Sequence, residues 1–127
     1  MDGSNCVTAT FVVDQQHDLL ISDRHDEHVA CAGGNPVLSA GEITFEIDEN
    51  KIEVVQITNQ STGYCPQPSS WLEVKKALDK ANLKHPSSFT AEFQFRRCPE
   101  CKTVNIIKEK HFYCAVCDSD LPENWNL

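Results

Sequence analysis

Four cysteines stand in two Cys-x-x-Cys pairs, Cys98-Pro99-Glu100-Cys101 and Cys114-Ala115-Val116-Cys117, with twelve residues between the pairs. A Cys-x-x-Cys turn brings two sulfurs round onto a single ion, and two such turns complete a tetrahedral shell of thiolates. The chemistry this spacing points to is the binding of one Zn²⁺ per chain. Four thiolates leave no open position for a water molecule, so the expected role is structural rather than catalytic. The ion would replace the apolar core that so short a stretch cannot supply. The sequence holds seven cysteines, an odd number. With four of them in paired form, metal binding in a reducing compartment fits better than a disulfide framework. A redox role fits less well, because neither pair opens a βαβ unit.

Other residues offer chemistry with less certain geometry. His25-x-x-His28-x-x-Cys31 has ligand types at regular spacing, and Cys65, His17 or Cys6 would complete a second metal site there; two polar loop histidines and a half-buried thiol is the competing reading. His28 with Cys31 or Cys65 would make a base and a thiolate nucleophile if folding brought them together; small unpaired cysteines more often pack as apolar residues. His28, Glu42, Ser61 and Tyr64 are candidates for a polar pocket that takes a nucleotide-like ligand, by analogy with ADP-ribosyl-transfer sites, whereas turn chemistry alone also accounts for Ser61, Thr62 and Gly63. Arg96, Arg97, Lys102, Lys108 and Lys110, with Phe112 and Tyr113, would form a stripe for nucleic acid or simply a solvated face.

Charge helps to choose among these. The 127 residues carry a formal net charge of −8. All of it lies in residues 1–92, with six Lys/Arg against fourteen Asp/Glu; residues 93–127 hold five of each. Such a balance lacks the basic footprint that phosphate backbones select, so a protein partner is expected before nucleic acid. No stretch approaches the roughly 18 to 20 apolar residues that span a bilayer, and Met1-Asp2-Gly3-Ser4-Asn5 has neither a basic nor an apolar leader region. No membrane role and a cytoplasmic location are expected.

The elements that must position these residues follow from periodicity. Val7–Val13 is rich in β-branched residues and reads as a strand, and Leu19-Leu20-Ile21 as a short strand leading into a loop. Gly33-Gly34-Asn35-Pro36 is loop chemistry. Val37–Ile47 has strand character, with Ile43, Phe45 and Ile47 alternating with Glu42, Thr44 and Glu46; Asp48–Lys51 turns, and Ile52–Ile57 pairs back with an irregular alternation that suggests a bulge. Asn59–Pro68 is a second loop. Ser70 and Glu73 stand at capping-box spacing before a helix whose Trp71, Val74, Leu78 and Ala81 share one face; Asn82 stops it. Phe89, Ala91, Phe93 and Phe95 alternate cleanly in a strand that runs straight into Cys98. Between the cysteine pairs, Thr103–Ile107 and His111–Tyr113 fit a hairpin around a turn at 108–110, and Trp125 is expected to fold back on this piece or on the sheet. No internal repeat is apparent.

Residues 98–117, with the CPEC and CAVC pairs, resemble zinc ribbons at large and the short ribbons of uncharacterised bacterial proteins. His28-Val29-Ala30-Cys31-Ala32-Gly33-Gly34, then Ser39-Ala40-Gly41-Glu42, then Ser61-Thr62-Gly63-Tyr64-Cys65-Pro66 before a helix, resemble the C-terminal domain of plant IQ-motif calmodulin-binding proteins over residues 28–72. That family has Gly-His where this chain has Thr62-Gly63, and no IQ motif is present, so neither the loop histidine's chemistry nor calmodulin binding carries over.

The fold expected is therefore α+β: an antiparallel sheet of four or five strands with one packed helix (residues 1–95), and a C-terminal zinc ribbon (96–127) rigidly continuous with the last strand. The function expected is a protein-interaction or regulatory module with structural zinc at Cys98, Cys101, Cys114 and Cys117. A small enzyme or effector using His28, Glu42, Ser61 and Tyr64, and a ribbon that binds nucleic acid, are the alternatives.

Overall fold

The structure is a computed structural model that describes residues 5–61 and 63–127. The fold is α+β, and the chain divides into two compact units, one ending at Glu92 and the other running from Phe93 to Leu127. No helix is long and apolar enough to cross a membrane among the described residues.

In the first unit, β1 (Asn5–Val13), β2 (Leu19–Asp23), β3 (Ser39–Asp48) and β4 (Lys51–Ile57) form an antiparallel sheet in the order β2-β1-β3-β4. The register of β3 on β4 shifts between Thr44 and Phe45, so that Thr44 opposes Gln56 while Phe45 opposes Val54. Val55 is thus the extra residue of a bulge, at the place where the alternation of β4 fails. The outer edge of β4 is closed by backbone: the Val54 N–H donates to Lys84 O at 2.8 Å, and the Thr90 N–H to Ile57 O at 2.8 Å.

Period-2 alternation sorts the two faces of this sheet. Ala9, Phe11 and Val13 of β1, Ile43 and Phe45 of β3, and Val54 and Ile57 of β4 share the inner face. Helix α2 (Trp71–Lys80) lays Val74, Ala77 and Leu78 on them, and Phe89 completes this core. Burying a side chain of this size contributes about 1.5–3 kcal/mol, so this cluster dominates the stability of the unit. On the outer face a smaller cluster joins Val12 and Ala40 to Ala32, under the short helix α1 (His28–Cys31). Loop chemistry alone was expected at His28–Cys31. One helical turn fits there because Gly33 and Gly34, both at positive φ, end it at once.

Four local expectations are corrected. The Ser70–Glu73 capping box does not form. A 3-10 turn, Pro68–Ser70, leads into the helix and leaves Ser70 in the helical region (ψ −7°), whereas a capping residue needs extended backbone. Ser70 Oγ instead meets Ser39 Oγ at 2.8 Å, and the Glu73 carboxylate pairs with His17. Ala81 is exposed because it is already the last, capping residue. The stop at Asn82 is as read: Asn82 is left-handed (φ 58°), and the Leu83 and Asn82 N–H groups close back on Leu78 O and Asp79 O, both at 3.0 Å.

The long alternating strand through Phe89–Phe95 is also not continuous. Thr90 uses its N–H and hydroxyl on Ile57, Ala91 makes a single bridge to Thr58, and strand structure resumes only at β5 (Gln94–Arg97). In the second unit β5 pairs antiparallel with β6 (Val104–Ile107). The expected second arm, His111–Tyr113, reduces to isolated bridges, Lys108 with His111 and Tyr113 with Asp120. The intervening turn is where it was read. Glu109 and Lys110 both take positive φ (53° and 61°), the signature of a type I′ turn.

Candidate metal centre

The sulfurs of Cys98, Cys101, Cys114 and Cys117 all lie within 4.8 Å of one another. Cys98 and Cys117 Sγ are 3.5 Å apart, as are Cys101 and Cys114 Sγ. Four thiolates bound tetrahedrally at about 2.3 Å have edges of about 3.8 Å, so the cluster needs no more than small shifts to close on one ion. A disulfide would bring two sulfurs to about 2.05 Å, and none of the seven cysteines is in one. Cys98 and Cys114 are buried; Cys101 and Cys117 face outward.

Both cysteine turns are built on one plan, a repeat not noticed in the sequence. Cys98 N–H donates to Thr103 O and Cys114 N–H to Ser119 O, each at 2.8 Å. Lys102 N–H returns to Cys98 O and Asp118 N–H to Cys114 O, each at 2.9 Å. Lys102 and Asp118 are both left-handed, at φ 67° and 61°. The Thr103 hydroxyl lies 3.3 Å from Cys101 Sγ, and the Ser119 hydroxyl 3.3 Å from Cys117 Sγ. The shared signature is Cys-x-x-Cys-x-Ser/Thr, once as CPECKT and once as CAVCDS.

Electrostatics favour a cation at the centre of these sulfurs. The Cys114 thiol is held down to about 6 by N–H donation from Cys117, then from Val116, and by the Asn105 amide. Cys117 is also lowered, chiefly by Ser119. The Cys101 N–H pulls Cys98 the same way, but burial and its contacts with the other thiols push it up to about 11. Sulfurs this close resist ionising together, and a divalent cation removes that conflict.

Asn105 braces the four-cysteine cluster and Arg96 organises the rest of this unit, and sequence reasoning missed the role of both. Asn105 of β6 is buried. Its Nδ2 donates to Thr103 O at 3.2 Å and to Cys114 Sγ at 3.6 Å, and its Oδ1 accepts from Ala115 N–H at 3.0 Å. One amide therefore braces both turns. The available signal was an asparagine in the middle of the apolar run Val104–Ile107. Arg96 was read as part of a basic face, yet it is only 5% exposed. Its guanidinium donates to Pro122 O (3.1 Å), Glu123 O (2.7 Å) and Phe95 O (2.7 Å). It also sits over the rings of Phe112 and Trp125, at 5.6 and 5.4 Å from their centroids. Trp125 stacks edge-on with Phe95 at 6.0 Å, so the tail folds back within this unit.

The candidate pocket residues and those of the expected second metal cluster are in the first unit. His28, Glu42 and Ser61 line one open pocket of about 230 Å³ together with Thr10, Arg24, Asp26 and Gln60. Gly41 makes this possible. A Cβ there would lie 1.9 Å from Thr58 O, so only glycine lets the chain after β4 fold across β3 and bring Gln60 and Ser61 beside Glu42. His28 Nε2 is 2.8 Å from Gly41 O. Because a carbonyl only accepts, the imidazole donates from Nε2. Tyr64 does not join them. Its hydroxyl donates to Asn35 O at 2.7 Å, and burial followed by the nearby Cys31 raises its pKa. Thr62 lies outside the described residues.

The second metal cluster does not assemble among the described residues, where the four C-terminal cysteines form the group able to hold an ion. His25 is turned to Asp23 (2.9 Å), and Cys31 Sγ to Leu20 O (3.7 Å). Cys6 stands at the far end of the sheet opposite Glu46, and His17 is paired with Glu73. His28 and Cys31 do not form a base–nucleophile pair: His28 Nε2 meets Gly41 O and Cys31 Sγ turns to Leu20 O.

No protein-family model matches the chain, and comparison with curated proteins and with solved structures finds no match.

Proposed function

We propose that the chain is a protein-interaction module whose C-terminal unit, a zinc ribbon, is ordered by one structural Zn²⁺ on Cys98, Cys101, Cys114 and Cys117. The observation that carries this reading is the closed donor set: four sulfurs within 4.8 Å, braced by backbone and Asn105. An all-thiolate tetrahedral site is the coordination zinc takes when its role is structural. Thiols in this number, none bridged, suit a reducing compartment such as the cytoplasm.

The interaction half is supported by the first unit. Its inner sheet face continues past the core as an uncovered row, Val7, Ile47 and Ile52, exposed by 48, 39 and 46%. Aliphatic rows of this kind are what partner proteins cover. The use of Arg96 inside the second unit takes the central cation out of any phosphate-binding stripe. The pocket at His28, Glu42 and Ser61 is smaller than the roughly 300–1,000 Å³ of small-molecule sites, and Tyr64 is elsewhere, so an enzyme acting on a nucleotide-like substrate is the weaker reading.

Native mass spectrometry tests the metal assignment, with one zinc per chain expected. A metal-free folded chain, or two or more zincs, contradicts it. Ile47→Lys with Ile52→Lys tests the aliphatic row: loss of partner binding with unchanged melting is expected.

A further inference from the structure

The sheet of the first unit has two edges, and the fold closes one of them. The outer edge of β4 meets backbone at Lys84 and Thr90. The outer edge of β2 meets no strand and no bridge among the described residues. Hydrogen bonds in an antiparallel ladder alternate, so the β1–β2 hairpin decides which groups of β2 face outward. The Asp14 N–H donates to Asp18 O at 3.1 Å. Counting on from that pair, Val12–Leu20 and Thr10–Ser22 exchange hydrogen bonds, while Leu19, Ile21 and Asp23 turn theirs away from β1. The Asp23 carbonyl, so turned, accepts from Asp26 N–H at 2.9 Å. Left open along the strand are the N–H and C=O groups of Leu19 and Ile21. Unpaired edges of this kind template pairing with another chain, and proteins blunt them with proline, lysine or a bulge. The strand LLISD has none of these, and its register on β1 is unbroken. Leu20 and Ile21 are exposed by 37 and 53%.

A hollow of about 400 Å³ lies between β2 and the end of α2, walled by Leu19, Leu20, Ala77 and Ala81. Leu19 packs on the inner core with Ala77, whereas Leu20 stands opposite Val12 on the outer face. A hollow that touches both reaches the backbone of β2, at its edge. On the outer face Leu20 also walls a second hollow, of about 290 Å³, with Ala32 and Val37. The charges around this edge answer one another: Asp18 pairs with Lys80, His17 with Glu73, and Asp23 with His25. The Asp14 carboxylate accepts from Gln16 and Asp18 N–H, each at 2.9 Å. Lys76 of α2 and Arg24 beyond the strand stand outside these pairs, and neither lines the two hollows.

We propose that β2 takes up an uncharged, extended segment of a partner protein as a fifth strand of the sheet, with an aliphatic side chain of the segment entering the hollow at Ala77 and Ala81. Main-chain hydrogen bonds to Leu19 and Ile21 set the register, and the hollow selects the side chain. Two arguments identify the occupant. The paired charges leave nothing for a basic or acidic segment to answer. A second copy pairing β2 on β2 would meet over about 17 Å of strand, a contact on the order of a few hundred Å² against the roughly 1,200 Å² of a stable interface. Its own Leu19 and Leu20 also line its own hollows and are not free to fill another's. This inference rests on reading the chain as a protein-interaction module, and it adds a surface separate from the row Val7, Ile47 and Ile52.

The test uses the zinc-loaded, isotope-labelled full chain and three octapeptides that alternate Thr with Leu, with Lys or with Glu. The Leu peptide is expected to bind. On binding, the amides of Leu19 and Ile21 should gain about tenfold or more in protection from hydrogen exchange, whereas Leu20 and Ser22 are protected already. Ile21→Pro removes an outward N–H and no bond to β1, as an edge strand allows. It should weaken the peptide about tenfold, the size of one lost backbone hydrogen bond. Ala81→Glu, at an exposed position, sets a carboxylate at the mouth of the hollow and should weaken the peptide about fivefold or more; it decides the matter if Ile21→Pro does not fold. Unchanged exchange at Leu19 and Ile21 in a chain saturated with peptide overturns the proposal, and protection gained instead around Val7, Ile47 and Ile52 leaves the interaction module standing. Tighter binding of the Lys or Glu peptide overturns it as well. Binding of none of the three overturns the edge proposal and leaves the module to the aliphatic row.

Discussion

Removing the metal should unfold the second unit and spare the first. The second unit spans residues 93–127. Its buried large apolar side chains are Phe95 and Leu121, at 0 and 5% exposure. Their burial contributes about 3–6 kcal/mol together. A structural zinc on thiolates contributes about 10–16 kcal/mol near pH 7, two to three times as much, and chains of this length rarely fold without such help. The assay is built into the sequence, which has two tryptophans, Trp71 and Trp125. In Trp71→Phe the emission reports Trp125 alone, packed on Phe95 and Arg96. Chelation, with metal loss verified, should shift that emission to the value of a solvated indole and abolish amide protection in β5 and β6. The first unit, with its own cluster around Phe11, Ile43 and Leu78, should keep its protection. A verified metal-free chain with unchanged Trp125 emission and protected β5 and β6 would refute the reasoning.

Three further outcomes are expected. Asn105→Ala should lower zinc affinity by about 10- to 100-fold, as loss of a group that orients ligands does; competition with a chromogenic chelator reads this, and unchanged affinity would remove Asn105 from the site. Gly41→Ala should destabilise the first unit by about 3 kcal/mol, since its Cβ would meet Thr58 O at 1.9 Å; urea titration measures it, and a neutral result would mean that the chain after β4 does not cross there. The Asp79 carboxyl is held below its ordinary 3.8, first by hydrogen bonding to His85 and then by Lys75. A depressed carboxyl adds stability that is fully present above the ordinary value and is lost as pH falls through the lower folded one. Asp79→Asn should therefore melt earlier than wild type at neutral pH, with the gap closing as pH falls below the ordinary carboxyl value and through the lower folded one; a gap independent of pH would refute the assignment.

The four-cysteine cluster was readable from sequence because a Cys-x-x-Cys turn is local: four residues decide it, whatever the rest of the chain does. The sheet was readable for a similar reason, since the β-branched run of β1 marks a strand and the alternation in β3 declares a buried face. The Phe89–Phe95 run shows where such reading stops. Phe89 is buried in the core of the first unit and Phe95 in the second. One unbroken period of two thus serves two cores, and periodicity cannot say which. The pocket was half legible. His28, Glu42 and Ser61 were singled out, but their meeting depends on Gly41 admitting a backbone crossing, which is a fact of topology. Ser70 and Glu73 had the right spacing for a cap and found other partners, Ser39 and His17, from strands far away in sequence. Arg96 and Asn105 were the least visible, because a polar residue that organises an interior looks, in sequence, like one meant for water.

The placement of Arg96 has a thermal consequence. The second unit is filled by ionic and dipolar matter: four sulfurs placed to hold a metal at one end, and a guanidinium among carbonyls and ring faces at the other. Little hydrocarbon is hydrated when it opens, so its heat capacity of unfolding is small and its stability curve is flat. Cold, which weakens oily interiors, should hardly touch it. Acid or a competing chelator should open it at any temperature.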